Sequence, residues 1–388
     1  MWRSIEKVAG VLSPGATSNS TALVLSGGGA RAAYQSGVLQ FIAEKISLDA
    51  VDLISGVSAG SINAGKLANN TVGYPEAVSE LVECWSTIGQ QDVYEAASSL
   101  SVMMNVLKRS SNADQELLPR TGLVDTTPLA GYLKDVMKAP DGRLSGISEN
   151  IQSGRLKACA FVGTEYATGQ TVTWIEGKSI DGWERPNRIS RQTHLMTDHI
   201  LASTSLPFLF PAVKVHDKWY GDGGIRQAEP LSPVVHLGAD KILAISTRYG
   251  RSLEEALVPV SDGYPPAAQI FGVLLNAVFL DRLDQDAATL ERINTLVRDL
   301  APWKRRGLKH IGLLVIRPSR DLGKLSGDFQ HELGGVLKLI ARSLGSKDTK
   351  SPDWLSMILF DQMYTTRLIE VGYDDARTQY DQIARFFG

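Results

Sequence analysis

The chain has 388 residues, 43% of them hydrophobic and 21% charged, with 40 Lys plus Arg against 42 Asp plus Glu and a formal charge of −2. Near-neutrality argues against a dedicated nucleic-acid binder, and Cys84 and Cys159 alone cannot make a disulfide scaffold. No run of about 18 apolar residues offers a membrane-spanning helix.

Five apolar residues, Val8 to Leu12, follow Glu6. That is short of the roughly 7–15 a secretory signal needs, so no signal is expected and the chain reads as cytoplasmic. Residues 13–20 are rich in breakers, and 1–20 reads as a lead-in. Thr21–Leu25 predicts a buried strand running into Ser26-Gly27-Gly28-Gly29. From Ala30 to about Lys45, Ala33, Gly37, Val38, Phe41 and Ile42 recur at helical spacing. Val51–Ile54 predicts a second strand, broken at Gly56, and Ser58–Asn69 a second helix. Strand and helix alternating in this way signal an α/β unit with a parallel sheet. Leu156–Gly163 and Gln170–Ile175 read as paired strands, and Lys241–Thr247 and His310–Arg317 as buried ones. Residues 90–120, with Met103, Met104, Val106 and Leu107, read as a surface excursion in preference to a cover over a site. Ser351 as N-cap and Pro352 at the first helical position predict a helix carrying Leu355, Ile358, Leu359, Met363 and Leu368.

Gly56-Val57-Ser58-Ala59-Gly60 is the most informative segment. A serine on a sharp strand-to-helix turn needs tiny neighbours two residues away, which Gly56 and Gly60 provide. The following helix aims its free N–H groups at the reacting carbonyl, with Ala59 N–H as an oxyanion donor. The preceding loop, Gly27 to Ala32, can present backbone N–H groups to a developing negative charge. It also fits a dinucleotide fingerprint, with Asp52 as the ribose acid. Asp52, however, lies near the start of its strand, whereas the fingerprint places that acid at the strand's end. No Gly-Lys-Ser/Thr follows, which excludes a Walker loop.

The serine needs a base. Ser58, Asp222 and His236 obey the α/β-hydrolase order, but that fold builds several strands before its serine and only one precedes it here. His236 sits at an expected helix end, and His194 and His199 are wrongly spaced for a helical metal pair. Asp222 is flanked by Gly221, Gly223 and Gly224, which give its carboxylate unusual backbone freedom.

Taken in order, Ser26-Gly-Gly-Gly-Ala-Arg31, Gly56-Val-Ser-Ala-Gly60 and Asp222-Gly-Gly224 resemble the patatin-like phospholipase family, in particular its bacterial members. Leu123–Pro128, Gly163–Gly169 and Ala202–Pro211 support the resemblance, which covers about residues 21–247. It implies a three-layer α/β fold with a central, mainly parallel sheet. The catalytic domain would be 21–247, followed by a largely helical region, 248–388, with one or more strands. The resemblance further implies Ser58 as nucleophile and Asp222 as general base without a histidine. Gly27, Gly28 and Gly29 would form the oxyanion hole, supported by Arg31, Gly223 and Gly224. Lipid acyl esters are the implied substrates, with no metal and no cofactor. The sequence departs from the family at Ala32, where glycine is usual, and the added methyl bears on the geometry of the hole.

Thioester, neutral-lipid and polyester hydrolysis could use the same pair. From other classes, the rivals are a nucleotide-binding protein and a non-catalytic lipid-binding scaffold. Partners are expected to be the lipid ester and a membrane surface touched transiently, in a bacterium the inner membrane, with no nucleic acid. Trp303-Lys304-Arg305-Arg306 and the apolar Ile270–Leu280 are the candidate contacts.

Overall fold

The computed structural model describes residues 20–49, 51–96, 122–178, 180–258, 264–265, 267–332 and 353–388. Nearly all of the lead-in, most of 90–120 and the helix start at Ser351-Pro352 lie outside them. The strands are β1 (Thr21–Leu25), β2 (Val51–Val57), β3 (Glu95–Ala96), β4 (Val124–Asp125), β5 (Ala158–Glu165) and β6 (Gln170–Gly177). They continue as β7 (Glu184–Arg185), β8 (Arg188–Gln192), β9 (Val213–Val215), β10 (Lys218–Asp222), β11 (Lys241–Ile245) and β12 (Gly312–Ile316). Ten of them form one sheet in the order β12-β11-β1-β2-β5-β6-β8-β7, with β10 pairing β5 and β9. From β12 to β5 every pairing is parallel, and β5 and β6 form an antiparallel pair.

Parallel strands covered on both faces should be apolar throughout. Accordingly, every residue of β1 is buried. Its side chains alternate: Leu23 and Leu25 enter one apolar cluster, Ala22 and Val24 the other. On the first side lie α1 (Ala33–Lys45), α2 (Ala59–Asn69), α3 (Tyr74–Thr87) and the helix Gln362–Thr378. The second side is covered by Ser232–His236 and Arg282–Asp299.

Residues beyond 247 add to this architecture. β12 extends the sheet beside β11. Helix Gln362–Thr378 lies directly on α1: a Cβ at Gly37 would fall 1.9 Å from the Ile369 carbonyl oxygen, and one at Gly372 would fall 2.1 Å from that of Tyr34. The Tyr34 hydroxyl donates to Asp375 at 3.0 Å across the same crossing. The stretch expected as one helix through Leu355 and Leu368 is two, Asp353–Ile358 and Gln362–Thr378. Asp361 starts the second, its carboxylate accepting the Tyr364 N–H at 3.0 Å. No helix among the described residues is long and apolar enough to cross a membrane.

Candidate active site

Ser58 sits between β2 and α2 at φ 53°, ψ −137°, a left-handed conformation that costs a non-glycine residue about 1–3 kcal/mol. The surroundings over-determine it. Its N–H donates to Ser203 Oγ at 2.9 Å, and Ser203 donates onward to the Val162 carbonyl at 2.6 Å. The Ser58 carbonyl accepts from Ser61 through both its hydroxyl, at 2.6 Å, and its N–H, at 2.8 Å. The flanking glycines answer a close approach: a Cβ at Gly56 would lie 2.4 Å from the Gly60 carbonyl oxygen, and one at Gly60 2.3 Å from that of Leu25.

The glycine loop leaves β1 directly above this serine. A Cβ on Gly27 would lie 2.8 Å from that of Ser58. Gly28 and Gly29 adopt φ 146° and 57°, and a side chain at Gly29 would lie 1.9 Å from the Met357 carbonyl oxygen. The loop is tied from behind by its carbonyls: Thr247 Oγ1 donates to Gly27 O at 2.5 Å, and Gln35 Nε2 to Ser26 O at 2.9 Å. Among the described residues, the N–H groups of Gly27, Gly28, Gly29 and Ala59 donate to no acceptor. Ala32 ends the 3₁₀ turn Gly29–Ala32 in ordinary right-handed geometry, and its carbonyl accepts from Asn63 Nδ2 at 3.0 Å. The departure from glycine there imposes no strain. Arg31 is buried under the loop, its Nε donating to Ser356 Oγ at 2.6 Å.

Asp222 ends β10 with no exposed surface. Its Oδ1 accepts the Gly224 N–H at 2.8 Å, and its Oδ2 has no hydrogen-bond partner. Gly221 and Gly223 make room: a Cβ on the first would lie 2.1 Å from the Tyr166 hydroxyl, and one on the second 2.2 Å from the Val162 carbonyl oxygen. Burial pushes the Asp222 carboxyl up to about 7, although the nearby Ser58 hydroxyl and the Gly224 N–H pull it partway back. Beside Ser58 and Ala59 lies a cavity of about 20 Å³ lined chiefly by Ile62, Leu206, Phe210, Met357 and Phe360. It has room for little more than one water molecule.

The fold brings Ser58, the Gly27–Gly29 loop, Ala59 and Asp222 to one end of the sheet. It leaves Asp52 at the other end of β2, 3.0 Å from Lys157, so the acid of the dinucleotide reading does not meet the glycine loop. No histidine lines the cavity: His236 stacks on Trp183 at 4.7 Å, and His199 packs on Trp174. No group of three or more His, Cys, Asp or Glu that could hold a metal occurs among the described residues. Sequence reasoning overlooked Ser203, Thr247 and Gln35, which hold the turn and the loop. It also overlooked Met357 and Phe360, which reach the cavity from far along the chain. Ser203 alone carried a signal, lying within Ala202–Pro211.

The sequence model of the patatin-like phospholipase family matches residues 23–235, spanning all three segments. The chain belongs to this family. No curated protein sequence matches it. Among solved structures, human GIVD cytosolic phospholipase A2 is 10% identical with a TM-score of 0.47, over 99% of this chain and 64% of that one. VipD from Legionella pneumophila is 13% identical with a TM-score of 0.36, over 91% of this chain and 67% of that one. ExoU from Pseudomonas aeruginosa is 16% identical with a TM-score of 0.26, over 95% and 78%. The chain thus spans less than two thirds of the length of the human phospholipase.

Proposed function

We propose that the chain is a lipid acyl hydrolase of the phospholipase A or lysophospholipase type, acting through Ser58 and Asp222. Ser58 Oγ attacks the ester carbonyl carbon while Asp222 takes its proton, and the carbonyl oxygen becomes an oxyanion. The N–H groups of Gly27, Gly28, Gly29 and Ala59 are available to receive that charge. Collapse expels the alcohol, which leaves with the proton from Asp222, and gives an acyl-serine. A water molecule deprotonated by Asp222 then releases the fatty acid and frees Ser58. The observation that carries this reading is the burial of Ser58 against Gly27 of the glycine loop, together with the complete burial of Asp222. A carboxyl raised to about 7 is a far better base for an alcohol than one near 4.

The acyl chain would occupy the apolar space lined by Ile62, Phe210, Met357 and Phe360, displacing these side chains as it enters. The catalytic unit therefore includes residues after 247. Phe208 is 84% exposed with φ 67°, beside Leu206 and Phe210, which reach the cavity. We assign it to peripheral contact with a lipid surface. Turnover on phospholipid, lysophospholipid, glyceride and acyl-CoA substrates, with Ser58→Ala as blank, tests the reading. Serine-dependent release from phospholipid or lysophospholipid is expected. Release confined to glyceride or acyl-CoA would move the assignment to a lipase or thioesterase, and none at all would refute it.

A further inference from the structure

On the sheet margin, β7 and β8 meet in a hairpin that sets Arg185 directly opposite Arg188. Like charges facing each other across strands are destabilising. Arg226, in the chain just after the 3₁₀ turn Gly223–Ile225, brings a third guanidinium to the same pocket of about 210 Å³. Glu229 pairs with Arg188. Arg185 and Arg226 form no ion pair with a described residue. The buried Gln227 side chain also lines the pocket, and its Oε1 has no hydrogen-bond partner. Thr171 and Thr173, on one face of β6, complete the polar wall.

We propose that this pocket binds a phosphate-bearing anion through Arg185, Arg188 and Arg226, at a site separate from Ser58 and independent of the acyl-hydrolase reading. Guanidinium forks match phosphate oxygens, and an anion between the paired strands removes the repulsion the hairpin carries. A protonated phosphate oxygen or an attached hydroxyl could donate to Gln227 Oε1. Electrostatics point the same way. Arg188 is held below its usual pKa by burial and then by Arg185. Nearby His236 is lowered by burial, then by Arg188 and Arg185, and Asp286 is the acid that opposes them at Arg188. A bound phosphate therefore reports itself by raising the pKa of His236, which stacks on Trp183 in the pocket wall.

The test is calorimetric titration of the full chain with inorganic phosphate at low ionic strength, alongside nuclear magnetic resonance titration of His236. Saturable binding and an upward shift of the His236 pKa are expected. Arg185→Gln and Arg226→Gln should each weaken binding about tenfold or more while ester hydrolysis at Ser58 is unchanged. Vesicles of phosphatidylcholine with and without phosphatidic acid distinguish the source of the phosphate. Competition by the phosphatidic acid vesicles assigns a lipid head group, and its absence assigns a free phosphoanion. No saturable phosphate binding, or affinity unchanged in both variants, overturns the proposal.

Discussion

Arg31 donates to Ser356 at 2.6 Å across 325 positions of chain, both side chains buried. The glycine loop is thereby fastened to the segment that supplies Met357 and Phe360 to the cavity, so two distant stretches are held as one wall. Removing the Ser356 hydroxyl leaves a buried guanidinium N–H short of a partner, a loss of about 1–3 kcal/mol. Ser356→Ala is expected to lower thermal stability and kcat together on a soluble ester. Ser356→Thr, which keeps the hydroxyl, should recover most of the rate. Denaturation midpoints and steady-state kinetics on both variants check this.

Gly29→Ala separates loop geometry from general stability. The new methyl group would meet the Met357 carbonyl at a residue with φ 57°, so the loop has to move away from Ser58. Loss of an oxyanion donor typically costs about 10²–10³ in kcat. A fall of that order with KM little changed is expected, measured on a soluble ester.

The pH dependence of stability and activity should run in opposite directions. Asp222 is an acid whose pKa is near 4 unfolded and about 7 folded. The folded chain therefore holds the proton more tightly. Its contribution favours folding below about pH 4 and is lost as pH rises through 7, on the order of 4 kcal/mol in all. Activity needs the carboxylate and should rise over the same range with an apparent pKa near 7. Asp222→Asn should abolish activity and raise the denaturation midpoint at pH 8 relative to the unsubstituted chain, as chemical unfolding at pH 5 and 8 would show.

These relationships were unequally legible in the sequence. Gly56-Val-Ser-Ala-Gly60 is a local pattern whose spacing encodes one turn, so the position of Ser58 could be read directly. Asp222 could be read because its glycines announce a special backbone, although its burial could not. The bracing of Gly29 by Met357 had no local signature: it depends on a crossing of α1 with Gln362–Thr378, fixed by Gly37 and Gly372 far apart in sequence. The break at Asp361 was hidden because Leu359 and Met363 continue a helical apolar spacing across the cap. Asp52 shows the reverse case: its interval matches a fingerprint, but its place near the start of the strand argues against that reading, and the sheet holds it beside Lys157, away from the glycine loop.

Cavity size and surface contact give two more expectations. Phe360→Ala opens the cavity beside Ser58 and should shift preference toward longer acyl chains, read as the ratio of kcat/KM for long and short esters. Phe208→Ser should lower activity on phospholipid vesicles severalfold while leaving hydrolysis of a monomeric short-chain ester intact. A Trp303/Lys304/Arg305/Arg306 alanine variant, which removes the exposed Trp303, serves as the comparison.

Mass spectrometry of the chain after reaction with a fluorophosphonate ester addresses the central claim most directly. The account predicts a single covalent adduct on the peptide carrying Ser58, absent in Ser58→Ala and formed far more slowly in Asp222→Asn. An adduct on another residue, or labelling of Ser58 at an unchanged rate in Asp222→Asn, would contradict it.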